Sequence, residues 1–360
     1  MKAINRIKLE QILIDDVPDR RKRIWIWGTG NTSQLYIQGI NRIELVDRIC
    51  GYIDNDKSKW GGFNQKPVIS PSELKDYKKD LVLICSTAPK TISAISGELD
   101  EMEMEYATID GAILKWNKND VLRAYDLLDD EESKNIYANI IAARIKGENI
   151  PNGLWSKNQY FAWNDFSDVD VGDVFVDCGA YVGDTLEKYI WERDGVFSKI
   201  YAFEPDIKNF SAMEKRVARL LNEWNLSSDM ICLQSMGIGA NECKKKFVRN
   251  EANRGLGSKF IDSYDMNNSS VCEIVSLDDL NLEGLSFLKA DIESFEYDML
   301  LGATESIRKF KPSMALAIYH NSVDLYSIIL YIHDIWPDCK MSVRHHSPTL
   351  AETVLYVWNE

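Results

Sequence analysis

The stretch Asp173–Thr185, DVFVDCGAYVGDT, runs an apolar segment straight into two glycines, with Asp177 at the junction. A glycine after a buried strand lets the backbone come close to a ligand, and the helix that follows presents unpaired N–H groups. About 25 residues further on, Glu204 ends a second apolar run in IYAFEPDIKNF. A carboxylate there can accept hydrogen bonds from both hydroxyls of a ribose. The DxGxxxG spacing gives clearance for an amino-acid moiety rather than a cradle for a pyrophosphate, which favours S-adenosylmethionine (SAM) among nucleotide-type cofactors. The expected cofactor contacts are Asp177, Gly179, Ala180, Tyr181, Gly183, Asp184, Thr185 and Glu204. Taken singly, Asp177 reads as a turn aspartate and Glu204 as a solvated strand end. The combination, with Pro205 after the acid, is what carries the cofactor reading.

A second glycine loop lies near the start of the chain, Gly28-Thr29-Gly30-Asn31-Thr32-Ser33, with Asp54 as its acid. Ser33 stands where the dinucleotide fingerprint has Gly or Ala. The favoured reading is a Rossmann-shaped scaffold that binds no redox cofactor. The alternative, a nucleotide-sugar oxidoreductase, needs a Tyr-x-x-x-Lys or similar hydride-transfer set, and the YKK at Tyr77 does not supply one.

Two α/β patterns position these loops. In the first, RIWIW (Arg23–Trp27), RICGYIDND and LVLICST (Leu81–Thr87) read as buried strands between helical segments, as a parallel sheet covered on both faces requires. From Asn117 to Lys146 the apolar spacing turns to threes and fours, predicting two helices, the second closed by Gly147. The second pattern places strands at 173–178, 199–204, 230–235, 286–291, 313–319, 341–345 and 353–358. The short connection HSPTLAE permits only antiparallel neighbours, since a parallel crossover needs a dozen or more residues. The fold class expected is therefore α/β: a class I methyltransferase Rossmann-like sheet of six parallel strands plus an antiparallel seventh, preceded by a smaller Rossmann-like domain. Boundaries are expected at 1–112 for the first domain, 113–170 for a helical linker and aromatic segment, and 171–360 for the second domain. The segment 117–146 either mediates a homo-oligomer or joins the domains, and joining is favoured.

A formal net charge of −14 argues against a phosphate-backbone binder, so no nucleic acid partner is expected. The basic cluster Cys243–Arg249, CKKKFVR, is read as a solvated strand end. Seven scattered cysteines without a CxxC pair read as free thiols. No apolar stretch approaches the roughly 20 residues that span a bilayer, and the N-terminus lacks a secretory h-region, so a cytoplasmic location without membrane insertion is expected.

The segments VFVDCGAYVGDT, AFEPDIKNF, VSLDDL, FLKADIESFEYDMLLGATESIRKFKPSMALAIYH and VRHHSPTLAETVLYVW resemble FkbM-family SAM-dependent methyltransferases over residues 170 to 358. The first-domain segment GYIDNDKSKWGGFNQKPVISPSEL resembles small domains attached to glycan-modifying enzymes, which implies a sensing, docking or sugar-nucleotide role. The family resemblance implies that Asp291 lines the SAM pocket or the substrate entrance. The family commonly has glycine after its second acid in this motif; this chain has Glu293-Ser294, which weakens the case for Glu293 as a substrate contact. Asp291 and Glu293 either act without metal, the favoured reading, or hold a divalent ion. His320, after the fifth strand, is the candidate general base for a hydroxyl acceptor, weighed evenly against a hydrogen-bonded structural histidine. His346 is a candidate substrate contact, as are Tyr160 and its aromatic neighbours Phe161 and Trp163, against an equal case for interdomain packing. The function expected is methyl transfer from SAM to a hydroxyl of a small-molecule or glycan acceptor, a carbohydrate or related polar metabolite. A non-catalytic SAM-binding scaffold for glycan assembly is the non-enzymatic alternative.

Overall fold

A computed structural model describes residues 4–162, 170–250, 258–261 and 269–359. Trp163 lies outside them. The chain forms two compact units, residues 1–157 with 319–330 and 343–353, and residues 158–318 with 331–342 and 354–360.

The first unit opens with helix α1 (Arg6–Ile14) and builds an all-parallel five-stranded sheet in the order β3-β2-β1-β4-β5. Its strands are β1 (Ile24–Trp27), β2 (Ile49–Ile53), β3 (Val68–Ile69), β4 (Leu81–Ile84) and β5 (Glu105–Thr108). Strands β1 and β4 are buried along their whole length, which is why they read as continuous apolar runs. Strand β3 has only two residues and β5 is half exposed, so neither leaves an apolar run in the sequence. Helices α2 (Asn31–Arg42) and α3 (Pro89–Glu101) follow β1 and β4. Helices α4 (Ile109–Trp116), α5 (Lys118–Asp126) and α6 (Glu131–Lys146) come next. Asp130 caps α6 by accepting from the Ser133 amide at 2.8 Å, and Gly147 closes it at φ +66°.

Arg144 of α6 is 1% exposed and is held by charge and geometry together. Its Nη1 donates to Asp110 Oδ1 at 3.0 Å and its Nη2 to the carbonyls of Tyr319 and Leu350 at 2.5 and 3.0 Å. Tyr36 also donates its hydroxyl to Asp110. A guanidinium out of water is tolerable only when paired and hydrogen-bonded in this way. Through it the late segments 319–330 and 343–353 are fixed within the first unit.

The second unit carries the larger sheet, in the order β15-β16-β14-β13-β6-β7-β8. In chain order its first strands and helices are β6 (Val174–Cys178), α7 (Asp184–Glu192), β7 (Lys199–Phe203), α8 (Ile207–Glu223) and β8 (Ile231–Gln234). A separate four-stranded sheet follows, in the order β11-β10-β12-β9, from β9 (Gly237–Ile238), β10 (Cys243–Val248), β11 (Lys259–Ile261) and β12 (Ser269–Val275). The chain then continues through β13 (Phe287–Ala290), α9 (Glu296–Leu301), α10 (Thr304–Phe310), β14 (Ser313–Ala317), α11 (Asp324–Ile335), β15 (Lys340–His345) and β16 (Thr353–Trp358).

The structure places one strand whose position the sequence left open, and corrects one reading. The antiparallel strand β16 pairs with β14 inside the sheet, leaving β15 at the edge, so the large sheet is mixed and its odd strand is internal. The four-stranded sheet was not foreseen at all. CKKKFVR is no strand end: Cys243–Val248 is the central strand of that sheet, paired on both sides, with Lys244 opposite Glu273 at 3.4 Å. Its three lysines run consecutively ahead of the buried Phe247, and this half-exposed strand has no apolar run to announce it.

Under the sheet, Phe175 of β6 lies directly across from Phe287 of β13, with ring centroids 5.1 Å apart, and stacks on Tyr189 of α7 at 4.4 Å. Burying one such ring contributes roughly 2–3 kcal/mol, before the stacking geometry adds to it. Phe175→Ala is expected to lower the unfolding free energy by about 3–5 kcal/mol, measured by urea denaturation. A loss below about 1 kcal/mol would mean the stack does not anchor β6.

Candidate active site

Four strand ends of the large sheet, β6, β7, β13 and β14, carry the candidate residues. Chain direction puts the ends of these parallel strands on one edge, where ligands of open α/β sheets bind.

At the end of β6 the loop from Gly179 to Gly183 is tied down by its neighbours. The amides of Gly179 and Ala180 both donate to the Phe203 carbonyl at 3.0 Å. Gly179 has φ +88°, and a Cβ there would sit 2.1 Å from the Asp291 carbonyl oxygen. Glycine is therefore demanded by both conformation and space. Gly183 (φ +78°) starts α7, putting Asp184 and the buried Thr185 in its first turn, while Ala180 is buried in the core.

Glu204, one residue past β7, is 6% exposed. Its Oε2 accepts from the Tyr181 amide at 2.9 Å and its Oε1 from the Asp206 amide at 2.8 Å. The carboxylate thus joins the glycine loop to the start of α8; with the Asn209 side chain also bonded to it, three donors leave lone-pair capacity for one more. Burial pushes this carboxyl up to about 7 from its ordinary 4.5, with the two amides pulling the other way. Beside it Asp206 caps α8 and meets Arg249.

Asp177 is fully buried, and the residue opposite it in the register is Lys289 of β13. The Lys289 ammonium lies 3.0 Å from Asp177 Oδ1 and donates to the carbonyls of Gly179 at 2.7 Å and Cys178 at 3.4 Å. Burial alone would lower Lys289, but the carboxylates of Asp177, Asp291 and Asp184 outweigh it and hold the ammonium above its ordinary range. For Asp177, burial acts upward against the pull of Lys289. The direction that decides the pair is that of Lys289, because three acceptors around Nζ call for three N–H donors. Both carboxylate oxygens of Asp177 are buried without a hydrogen bond among the described residues, and of the two only Oδ1 has an ion pair, with Lys289.

Asp291 follows β13. Its Oδ2 accepts from the Tyr160 hydroxyl at 2.5 Å, and the Tyr160 ring lies 5.2 Å from Lys289 Nζ. Tyr160 itself has φ +66°, and its amide donates to the Tyr356 hydroxyl at 2.9 Å. Next to it Phe161 is buried against Phe287 and Tyr189. Glu293 and Ser294 both take left-handed backbone, φ +56° and +77°. That conformation is the physical reason a glycine suits the second of these positions, and here a serine occupies it. Glu296 accepts from the Ile292 amide at 2.7 Å and closes the turn into α9.

The structure thus gathers Asp177, the glycine loop, Glu204, Asp291 and Tyr160 at one sheet edge. His320 and His346 belong to the other compact unit. His320 lies three residues beyond β14 and is 6% exposed. The His346 ring meets the Ser156 carbonyl at 2.9 Å. His345 is clasped by Thr353 and the Thr349 carbonyl, and burial pushes it down to about 4, which keeps it neutral. Lys289 is the residue that sequence reasoning missed. Its signal was a single charge inside the apolar run SFLKAD.

The other glycine loop is closed on itself. Asp54 Oδ2 accepts from the Thr29 amide (3.0 Å) and hydroxyl (2.5 Å) and lies 3.3 Å from Lys59, while Oδ1 accepts from the Asp56 amide at 2.9 Å. Burial works against its charge, but these donors prevail and hold it below its ordinary value.

Comparison with known proteins gives two family matches: the C2185-like N-terminal domain over residues 20–109 and the methyltransferase FkbM domain over residues 177–346. No curated protein matches the chain significantly. Among solved structures, methyltransferase FkbM from Methylobacillus flagellatus KT is 21% identical over 98% of both chains, with a TM-score of 0.60. Aeropyrum pernix fibrillarin in complex with natively bound S-adenosyl-L-methionine is 13% identical over 52% of this chain and 67% of its own, with a TM-score of 0.32. A methyltransferase from Geobacter sulfurreducens is 15% identical over 74% and 96%, with a TM-score of 0.30. No helix among the described residues is long and apolar enough to cross a membrane.

The raised carboxyl of Glu204 makes the stability of the ligand-free protein fall with pH. The folded state favours its protonated form, so this contribution is complete below 4.5 and is lost as pH rises through about 7. Its size is of order 3 kcal/mol. Urea denaturation at pH 4.5 and 7.5 should show that loss, and Glu204→Gln should flatten it; parallel slopes in the two proteins would refute the assignment. Gly179→Ala is expected to lower the melting temperature, since backbone rather than a flexible side chain stands in the way of its Cβ.

Proposed function

Because residues 177–346 make this chain a member of the FkbM methyltransferase family, we propose that it is a SAM-dependent O-methyltransferase whose acceptor is a hydroxyl of a carbohydrate or related polar metabolite. The observation that carries the cofactor is the buried Asp177 Oδ2, which lacks a partner beside a loop whose glycine admits no side chain. A group bearing a cation and a ribose satisfies that oxygen and the remaining lone pair of Glu204. Asp177, Gly179 to Thr185, Glu204 and Asp291 would hold it. When bound, SAM supplies a methyl group activated by its sulfonium.

The chain's own residues have two tasks, orientation and removal of a proton. Tyr160 and the carboxylates of Asp291 and Glu293 stand where an acceptor could be oriented, at the strand edge that carries the glycine loop. The acceptor hydroxyl is a poor nucleophile until its proton is taken, and His320 is the base we assign to this step, with Asp291 fixing the reacting oxygen. His346 is retained as a candidate contact to the acceptor. The carbohydrate assignment is supported by the first domain and its resemblance to those attached to glycan-modifying enzymes. Asp54 counts against the oxidoreductase reading, because four donors from its own loop already surround the carboxylate that a ribose would need.

Calorimetric titration with S-adenosylhomocysteine, NAD and a sugar nucleotide tests this reading. Roughly micromolar binding of S-adenosylhomocysteine, lost in Glu204→Ala, is the expected result. Binding of NAD alone would sink it. With an acceptor found by screening, His320→Ala should lose about 10²–10⁴-fold in turnover while keeping S-adenosylhomocysteine affinity; normal turnover would remove His320 as the base.

A further inference from the structure

The site holds a buried ion pair whose presence the methyl-transfer reading leaves unexplained. Replacing a buried Asp–Lys pair by apolar residues is often neutral or stabilising, so such a pair is poor evidence of a stability role. Here it sits in mid-sheet, in direct register between β6 and β13, with Asp177 fully buried and Lys289 2% exposed. Lys289 donates to the Gly179 and Cys178 carbonyls and forms an ion pair with Asp177 Oδ1 at 3.0 Å, all at one turn. The face of the Tyr160 ring lies 5.2 Å from the same nitrogen. One ammonium therefore holds the end of β6 and the first carbonyl of the glycine loop and pairs by charge with one oxygen of the carboxylate, while the second oxygen, Oδ2, has neither ion pair nor hydrogen bond among the described residues.

We infer that Lys289 is a positioning residue for the amino-acid end of the cofactor: it orients Asp177 so that Oδ2 accepts the α-ammonium of the ligand. Charge supports the assignment. The carboxylates of Asp177, Asp184 and Asp291 against the one ammonium of Lys289 leave this corner net negative, which a ligand ammonium offsets in part. A second cation can approach Asp177 because Lys289 engages only its other oxygen. Without Lys289 the carboxylate would be buried uncompensated and would take up a proton, becoming a donor where an acceptor is needed. The adenosine end, by contrast, has its own contacts at Glu204, and Lys289 has no part in them. This inference rests on the SAM reading and adds a specificity to it: the pair discriminates ligands that carry the amino acid from those that do not.

Two ligands that share adenosine and thioether separate the roles. S-adenosylhomocysteine carries the amino acid and 5′-methylthioadenosine lacks it. Calorimetry on the full-length chain compares wild type with Lys289→Met/Asp177→Asn, in which both charges are removed together so that no ion is left buried alone. The expected result is a loss of about 30-fold or more in S-adenosylhomocysteine affinity, as for a charged hydrogen bond, with methylthioadenosine affinity within about 3-fold of wild type. Equal weakening of both ligands would show a merely structural pair and overturn the inference, as would no change in either. Lys289→Met alone, which strands Asp177, should lower the urea midpoint more than the double variant does; the reverse order also overturns it. If wild type binds neither ligand, the SAM reading itself falls and takes this one with it, an outcome distinct from selective retention.

Discussion

One buried ion pair constrains the larger sheet and its site together. Asp177 and Lys289 face each other across β6 and β13, and neither can be out of water without the other. Register is therefore pinned at the centre of the sheet. A slip of one residue would point the lysine to the opposite face and leave two buried charges unpaired. Because the ammonium also takes the Gly179 carbonyl, the strand register fixes the shape of the loop. The aromatic stack of Phe175, Phe287 and Tyr189 supplies the apolar side of the same junction. Polar specification and hydrophobic cohesion act on the same two strands.

Around this centre the carboxylates divide by how many donors surround them. Asp54 is surrounded by four donors, from Thr29, Asp56 and Lys59, and Asp110 is held by Arg144 and Tyr36. Asp177 has only the Lys289 ion pair. The contrast separates two glycine loops that look alike as sequence. The acid of the first loop is bound up within the protein, whereas Asp177 at the second keeps a buried oxygen without a hydrogen bond among the described residues. The same reasoning accounts for His345 and Arg144, which look reactive as residue types but are held by carbonyls and neighbouring side chains in the first unit.

Left-handed backbone marks the edge where the strands end. Gly179, Tyr181, Gly183, Glu293 and Ser294 all have positive φ, as does Tyr160 in the covering segment. Four of these are not glycine, and such strain persists only where surrounding contacts over-determine it. The contacts are visible for Tyr160, whose amide is bonded to Tyr356 and whose hydroxyl is bonded to Asp291. They are visible for Tyr181 too, whose amide is held by Glu204.

The sequence by itself determined the α/β class, the buried strands of both sheets, the glycine loop with its acid at Glu204, and the Gly147 helix stop. Each is a local matter: a run of apolar residues long enough for a strand, a glycine where the chain must turn, an acid at fixed spacing. It did not disclose the four-stranded sheet, because half-exposed strands of lysine and serine carry no apolar run. Nor did it disclose that β16 would insert between β14 and β15, since a short connection specifies antiparallel neighbours but not which of them faces the rest of the sheet. Lys289 is the sharpest case. It was legible as a charge within an apolar strand, but its partner lies more than a hundred residues away, and only sheet register could put it opposite Asp177. Which carboxylates gather several donors, and which keep a buried oxygen without a hydrogen bond, was likewise decided by tertiary structure, because hydrogen-bond capacity is used up by whatever folding brings within reach.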